Sequence, residues 1–125
     1  DIAVGAVLQQ KVNDQWCPIA FFSKRLTPPE TRYSTFDREL LAVYLAIKHF
    51  QHFIEGRDFH IVTDHKPLTF ALKSNHNHSP RQLRHLDFIS QFTNDIRHVK
   101  GTENCVANAL SRIETDAIHT DPELT

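Results

Sequence analysis

Residues 34–56 read STFDRELLAVYLAIKHFQHFIEG, and this stretch decides the fold. Apolar residues recur in it at steps of three and four, the spacing that places side chains along one face of an α-helix. Ser34 is a good helix N-cap, Asp37 lies in the first turn where it complements the helix dipole, and Gly56 is a typical terminator. The pattern predicts one long amphipathic helix. Its apolar face comprises Phe36, Leu40, Val43, Tyr44, Ile47, Phe50 and Ile54.

Segments of β-type composition flank this helix. Residues 3–10 and 16–23 are rich in small, β-branched and aromatic residues, and a short polar turn separates them, so they predict a hairpin. Pro18 has no N–H to donate, which indicates an edge strand. Residues 59–64 and 95–100 predict two further strands.

Shorter helices are predicted over residues 67–72, 83–92 and 106–112. The order is hairpin, long helix, strand, helices, strand and helix, which predicts a mixed α/β fold with a mixed sheet flanked by helices. We expect one domain over residues 1–113. Residues 114–125 are expected to form an acidic, disordered tail or linker.

Composition narrows the classes of function. The chain has 125 residues, of which 40% are hydrophobic and 23% charged, the balance of one globular domain. It has no apolar run long enough to cross a membrane and no signal-peptide pattern. Three glycines leave no glycine-rich nucleotide-binding loop. Because the chain contains no methionine, we expect a processed product or a piece of a longer protein.

The charge is unevenly distributed. The net charge of −1 argues against a generally basic nucleic-acid binder. Residues 57–112, however, carry eight basic and five acidic side chains, whereas residues 113–125 carry four acidic and no basic ones. The middle of the chain could therefore offer a mildly basic face, and the last residues would repel phosphate.

Two carboxylates lie where a core is expected. Glu39 borders the apolar face of the long helix, and Asp64 ends the strand predicted over residues 59–64. Ligand sites in α/β sheets form at the carboxyl ends of strands. If the two carboxylates converge there, their repulsion favours a hard divalent cation such as Mg²⁺ or Mn²⁺. Alternatively, Glu39 is a solvated flank of the helix and Asp64 caps a turn.

Other candidate sites are weaker. His49 and His52 are three residues apart on the helix and could share a metal ion, although surface positions are the simpler interpretation. His76 and His78 lie in a polar loop without an acidic neighbour in sequence. No Ser-His-Asp arrangement can be singled out, because histidine is too common in the chain.

Five blocks of sequence form a pattern. They are residues 20–27 (AFFSKRLT), 33–43 (YSTFDRELLAV), 63–68 (TDHKPL), 81–84 (RQLR), and 99–104 with 106–112 (VKGTEN, VANALSR). In this order and spacing they resemble the ribonuclease H domain of gypsy-type LTR retrotransposon reverse transcriptases. The resemblance covers residues 1 to about 113.

The resemblance implies a five-stranded mixed sheet with helices on both sides and a site of four carboxylates. Two Mg²⁺ (or Mn²⁺) ions bound there would cut the RNA strand of an RNA–DNA hybrid, by stabilising the attacking water and the leaving 3′ oxygen. It also implies that the partner is the polymerase part of the same polyprotein. Neither binding to a membrane nor a small-molecule cofactor is expected. The implied location is intracellular, in a cytoplasmic virus-like particle or the nucleus.

The resemblance assigns roles by position. Glu39 and Asp64 match the family's helix and strand carboxylates, so both are expected to be catalytic metal ligands. Asn108 stands where the family has an aspartate in the last helix. The family's first aspartate lies in a Thr-Asp-Ala-Ser segment just upstream of Asp1, on a central strand that we therefore expect to be missing. Two facing strand edges would then be unpaired, so we expect low stability or aggregation of the isolated chain. Because only two of the family's four carboxylates remain, we expect no cleavage by this chain alone.

Four basic residues are candidates for holding the hybrid. They belong to the basic middle block, and each is equally an ordinary surface charge. Contacts to phosphates would position the duplex, and 2′-hydroxyls would mark the RNA strand. The four residues are Lys66, Lys73, Arg81 and Arg84.

Three hypotheses follow for function. The first is a fragment of a retrotransposon reverse transcriptase and ribonuclease H, whose parent combines RNA-directed DNA polymerase with Mg²⁺-dependent endonuclease activity on hybrids. The second is a decayed, non-catalytic ribonuclease H-like connector domain. The replacement of the family's aspartate by Asn108 favours this hypothesis. The third is an unrelated binding module, which would require Glu39 and Asp64 to lie more than roughly 10 Å apart, beyond the reach of a two-metal site.

Overall fold

The computed structural model describes the backbone of residues 3–71, 78–99 and 116–121, and side chains in the first two ranges. Within these residues the strands are β1 (Ala3–Val12), β2 (Gln15–Arg25), β3 (Phe59–Thr63), β4 (Ile96–His98) and β5 (Asp116–Asp121). The α-helices are α1 (Thr35–Ile54), α2 (Lys66–Ala71) and α3 (Pro80–Ser90). None of these helices combines the length and apolar character needed to span a bilayer.

The strands form one five-stranded sheet in the order β2-β1-β5-β3-β4. β1 is antiparallel to both of its neighbours, β2 and β5. β3 is parallel to both of its neighbours, β5 and β4. The sheet is therefore mixed, as the sequence predicts.

The hairpin of β1 and β2 is set by its turn and by a bulge. Asn13 and Asp14 have φ values of 52° and 64°, and positive φ at both central residues gives a turn whose twist matches that of the strands. The register shifts between Leu8 and Gln9, which pair with Ala20 and Pro18. Pro18 therefore lies beside a bulge on the outermost strand, where its missing N–H is tolerated.

Helix α1 has the predicted cap, end and apolar face. The Ser34 hydroxyl accepts a hydrogen bond from the Asp37 N–H (3.1 Å), and Gly56 adopts a φ of 79° just beyond the helix. The apolar face packs in the main core against Leu8 of β1 and Ile61 of β3. Because α1 lies against β1 and β5, it covers the middle of the sheet.

Strand β3 is buried on both faces. Phe59 and Ile61 pack under α1, whereas His60 alternates to the opposite face and is fully buried there. The Trp16 and His60 rings pack edge to face, with centroids 5.6 Å apart. Burial and, to a smaller extent, the Arg97 charge lower the pKa of His60 to about 4, with Asp95 opposing part of the shift. His60 is therefore neutral at neutral pH.

Strand β5 corrects one expectation. Residues 116–121 were predicted to be part of a disordered tail, and the centre of the sheet was predicted to be empty. Instead, β5 fills the centre, pairing Ala6 with Thr120 on one side and Ile61 with Ile118 on the other. Both edges expected to be unpaired are thus paired. The helix predicted over residues 106–112 lies outside the described residues.

The low pKa of His60 predicts a loss of stability on acidification. The unfolded chain takes up this proton near pH 6.5, whereas the folded chain does so only near pH 4. The free energy of unfolding should fall as pH drops through that window and level off below it, by up to about 3 kcal/mol for this group. Urea unfolding at several pH values should show that His60→Leu lacks this component.

The exposed His52 provides the control. His52→Leu should keep the pH dependence of the wild type, because this side chain lies on the surface in both states. Equal pH dependence of the wild type and His60→Leu would contradict the assignment.

Candidate functional site

A buried carboxylate joins the first turns of α1 to the end of β3. Glu39 has no exposed surface, and its Oε1 accepts a hydrogen bond from the Thr63 hydroxyl at 3.0 Å. The same hydroxyl accepts a hydrogen bond from the His65 N–H, also at 3.0 Å. One threonine side chain therefore connects the helix, the strand and the turn that follows it.

Asp64 follows Thr63 directly and is exposed to solvent. Thr63 contacts the Glu39 carboxylate, and the Cα atom of Asp64 is only 3.8 Å from that of Thr63. Both acids therefore lie at the same end of β3, Asp64 exposed to solvent and Glu39 buried in the core. The alternative in which Glu39 is a solvated flank of the helix is wrong. The roles of the two residues as metal ligands stay predictions.

The donor set at this end of β3 suits a hard cation. Mg²⁺ is commonly held by one or two carboxylates, with waters and substrate phosphates completing its shell. Glu39 and Asp64 supply two carboxylates, and among the described side chains no cluster of three or more His, Cys, Asp or Glu residues could hold an ion. Two carboxylates are the kind of donor that this ion takes from proteins. Asn108, which the resemblance places near a second ion, lies outside the described residues.

The histidine pair on α1 does not resemble a metal site. His49 and His52 are both exposed. The His49 ring packs against Phe22 and Phe50, with centroid distances of 4.7 and 4.9 Å. His49 is thus part of an aromatic surface contact, in agreement with the simpler interpretation.

The first turn of α1 also anchors α3. Asp37 accepts hydrogen bonds from Gln82 Nε2 (2.7 Å) and Arg81 Nη2 (3.3 Å). The Arg81 guanidinium also lies over the Tyr33 ring, 4.3 Å from its centroid. The start of α3 is therefore fixed to the same turn that carries Glu39. From sequence alone, Asp37 is only a partner for the helix dipole, because nothing local indicates a contact with residues more than 40 positions away.

The predicted phosphate-contacting residues differ in accessibility. Lys66 begins α2 two residues after Asp64 and is exposed, as is Arg84 on α3. Arg81 is half-buried and paired with Asp37. Lys73 lies outside the described residues. Of these four residues, Lys66 near the end of β3 and Arg84 on α3 are thus the two described side chains that are accessible.

An aromatic group lies beside the turn that follows β3. The Phe36 ring lies 6.2 Å from the His65 ring and is stacked parallel to the His78 ring at 6.4 Å. Burial lowers the pKa of His65, and the Asp64 carboxylate opposes that shift. The sequence does not reveal this group, because His78 comes next to Phe36 only through tertiary packing.

Two comparisons with known proteins bear on this site. Residues 1–92 match a family model described as "RNase H-like domain found in reverse transcriptase". The transposon Tf2-3 and Tf2-4 polyproteins of Schizosaccharomyces pombe are each 35% identical to the chain over 129 residues. The aligned region covers 98% of this chain and 10% of each polyprotein. The chain thus spans about a tenth of the length of these relatives.

Proposed function

Because this chain belongs to the RNase H-like domains found in reverse transcriptases, we propose that it is the part of a gypsy-type polyprotein that hydrolyses the RNA strand of RNA–DNA hybrids. The observation that carries the proposal is the buried Glu39 carboxylate at the strand end that bears Asp64. Burying a carboxylate opposes folding, and such groups concentrate at functional sites. Family membership also removes the hypothesis of an unrelated binding module.

Glu39 and Asp64 are the proposed ligands of a divalent cation, Mg²⁺ or Mn²⁺. When bound, the cation would polarise the scissile phosphate and lower the pKa of the attacking water. The Thr63 hydroxyl fixes the Glu39 carboxylate before any ion arrives, because it already donates to Oε1. Asp64 is exposed and can therefore meet both the ion and the substrate.

The hybrid is proposed to lie across α2 and α3. Lys66 and Arg84 would contact phosphates as accessible charges, with Lys73 as a further candidate. Arg81 is held in a fixed orientation by Asp37 and Tyr33, so it needs little reordering to meet a phosphate, although Asp37 offsets part of its charge. We further propose a polymerase part in the same polyprotein and an intracellular location, in a virus-like particle or the nucleus.

A second candidate function is a non-catalytic connector domain. The observations that favour it are the neutral Asn108 and, among the described side chains, the lack of any cluster of three or more His, Cys, Asp or Glu residues that could hold an ion. A domain that has lost acidic ligands keeps its fold and its contacts within the polyprotein but binds the cation weakly.

Cleavage of a labelled RNA–DNA hybrid in Mg²⁺ distinguishes the two functions. The chain is assayed together with its upstream polyprotein residues, as the wild type and as Glu39→Gln and Asp64→Asn. Each substitution removes one negative charge with little change of shape, so each should reduce the cleavage rate by about 10²–10³-fold, the usual cost of removing one electrostatic stabiliser. Asn108→Asp should increase the rate, because it restores an anionic donor.

Asp58→Asn is the matched control, since Asp58 is an exposed acid at the opposite end of β3 from Asp64. Its rate should equal that of the wild type. If neither the wild type nor Asn108→Asp cleaves the hybrid while both bind it, the connector function is the correct one.

Hybrid binding should depend on Lys66 and Arg84. Lys66→Gln and Arg84→Gln should each weaken binding. Each should also reduce the slope of log K against log salt concentration by about one, because the native side chain would displace one counterion from a phosphate and glutamine would not. Lys48→Gln, an exposed cation on α1, serves as the control. Filter binding at several salt concentrations measures both quantities, and an unchanged salt slope in the Lys66 and Arg84 variants would contradict this interface.

A further inference from the structure

Two side chains of α3 lie against tyrosine rings. The Arg81 guanidinium is 4.3 Å from the centroid of the Tyr33 ring. One helical turn further on, the His85 ring is stacked on Tyr44, with centroids 4.2 Å apart and an angle of 23° between the planes. Both tyrosines pack against a cluster of buried apolar side chains that includes Leu41 of α1. Rings that are anchored in the core therefore hold an arginine and a histidine next to each other on α3.

The charges that act on His85 are mostly positive. Burial is the main cause that lowers the pKa of His85, and the guanidinium groups of Arg81 and Arg84 lower it too. The Asp37 carboxylate on α1 opposes part of this shift. Without a ligand, His85 is therefore a neutral imidazole at neutral pH, beside two permanent cations.

Three further groups near His85 carry charge or can titrate. Tyr44 is stacked on its ring, and the Lys48 ammonium on α1 lies 5.3 Å from the centroid of that tyrosine. Asp87 is an exposed acid two residues further along α3. Within the part of the chain that the structure describes, none of these three contributes to the shift in the pKa of His85. Its electrostatic part therefore depends on the two arginines and on Asp37.

A bound phosphate would reverse this balance. Phosphates held by Arg81 and Arg84 would neutralise the two charges that oppose protonation of His85, and would themselves favour a cation beside them. His85 is half-buried, so part of its ring is open to solvent and to a ligand. The imidazole can then take one proton from solvent and donate a charge-assisted hydrogen bond to a phosphate oxygen.

We propose that His85 is a third phosphate contact on α3, which joins Arg81 and Arg84 as an imidazolium when an RNA–DNA hybrid is bound. This inference rests on the proposed function, because the hybrid supplies the phosphates. Binding of the hybrid takes up one proton at this position, so the affinity for the hybrid increases as the pH falls.

Hybrid binding at pH 7.5 and pH 5.5 tests the role of His85. The full chain is used together with its upstream polyprotein residues, in EDTA and at one fixed ionic strength. The wild type should gain several-fold more affinity between the two pH values than His85→Phe, which keeps a ring against Tyr44 but cannot be protonated. His85→Lys is charged at both pH values, so it should bind more tightly than the wild type at pH 7.5 and show a smaller gain on acidification.

His52→Gln is the matched control, since His52 is an exposed histidine on α1 outside this cluster. It should keep the pH dependence of the wild type. Urea unfolding of each protein at both pH values shows that folded proteins are compared. An NMR titration of the His85 ring protons in the wild type adds a measurement that needs no folded variant at this position, and its midpoint should move to higher pH when a short hybrid is added.

The outcomes separate this inference from the function on which it rests. Equal pH dependence in the wild type and His85→Phe, or a titration of His85 that the hybrid leaves unchanged, would overturn the inference alone. So would an equal loss of affinity by His85→Phe at both pH values, because a purely structural role of the ring predicts that result. A wild type that binds no hybrid at either pH would overturn the proposed function, and this inference with it.

Discussion

The hydrogen bond from the Thr63 hydroxyl to Glu39 is the contact on which the site depends. It places a carboxylate in a position with no exposed surface, where a charge is costly unless something compensates it. The contact also fixes the first turns of α1 relative to the end of β3. Since Asp37 on the same turn holds Arg81 and Gln82, the position of α3 depends on that turn too.

The sheet follows a second constraint, the need to pair the main chain at its centre. β1 and β3 run in opposite directions and do not pair with each other, so the strand between them must be antiparallel to one and parallel to the other. β5 meets that requirement through five backbone pairs on one side and four on the other. Ile118 is in register with the core residues Leu8 and Ile61. Thr120 is in register with Ala6 and Asp116 with Phe59, which are core residues too, so β5 is placed mainly by backbone pairing.

Local signals in the sequence predicted much of the fold. The spacing of apolar residues gave α1, the Asn13–Asp14 pair gave the hairpin turn, and Pro18 indicated the edge strand. β5 was missed because its acidic ends gave it the composition of a tail, whereas its strand state depends on partners more than 50 residues away. For this segment, tertiary pairing outweighs composition.

The site was predictable only in part. The position of Glu39 beside an apolar face and of Asp64 at a strand end made a shared cation site one of two open interpretations. The Thr63 hydroxyl, the anchoring of Arg81 by Asp37 and the stacking of Phe36 on His78 were not predictable. Each of these contacts joins residues that are distant in sequence, and each residue has an ordinary surface or core role when it is considered alone.

We propose that Thr63 holds Glu39 in place for a cation shared with Asp64. The direct measurement is the free energy of unfolding of the wild type, Thr63→Ser and Thr63→Val, in EDTA and in Mn²⁺. Thr63→Val removes the hydroxyl, so it should lose about 1–3 kcal/mol in EDTA and most of the stabilisation that Mn²⁺ gives the wild type. Thr63→Ser keeps the hydroxyl and should keep the Mn²⁺ effect. An equal Mn²⁺ effect in the wild type and Thr63→Val would contradict the account.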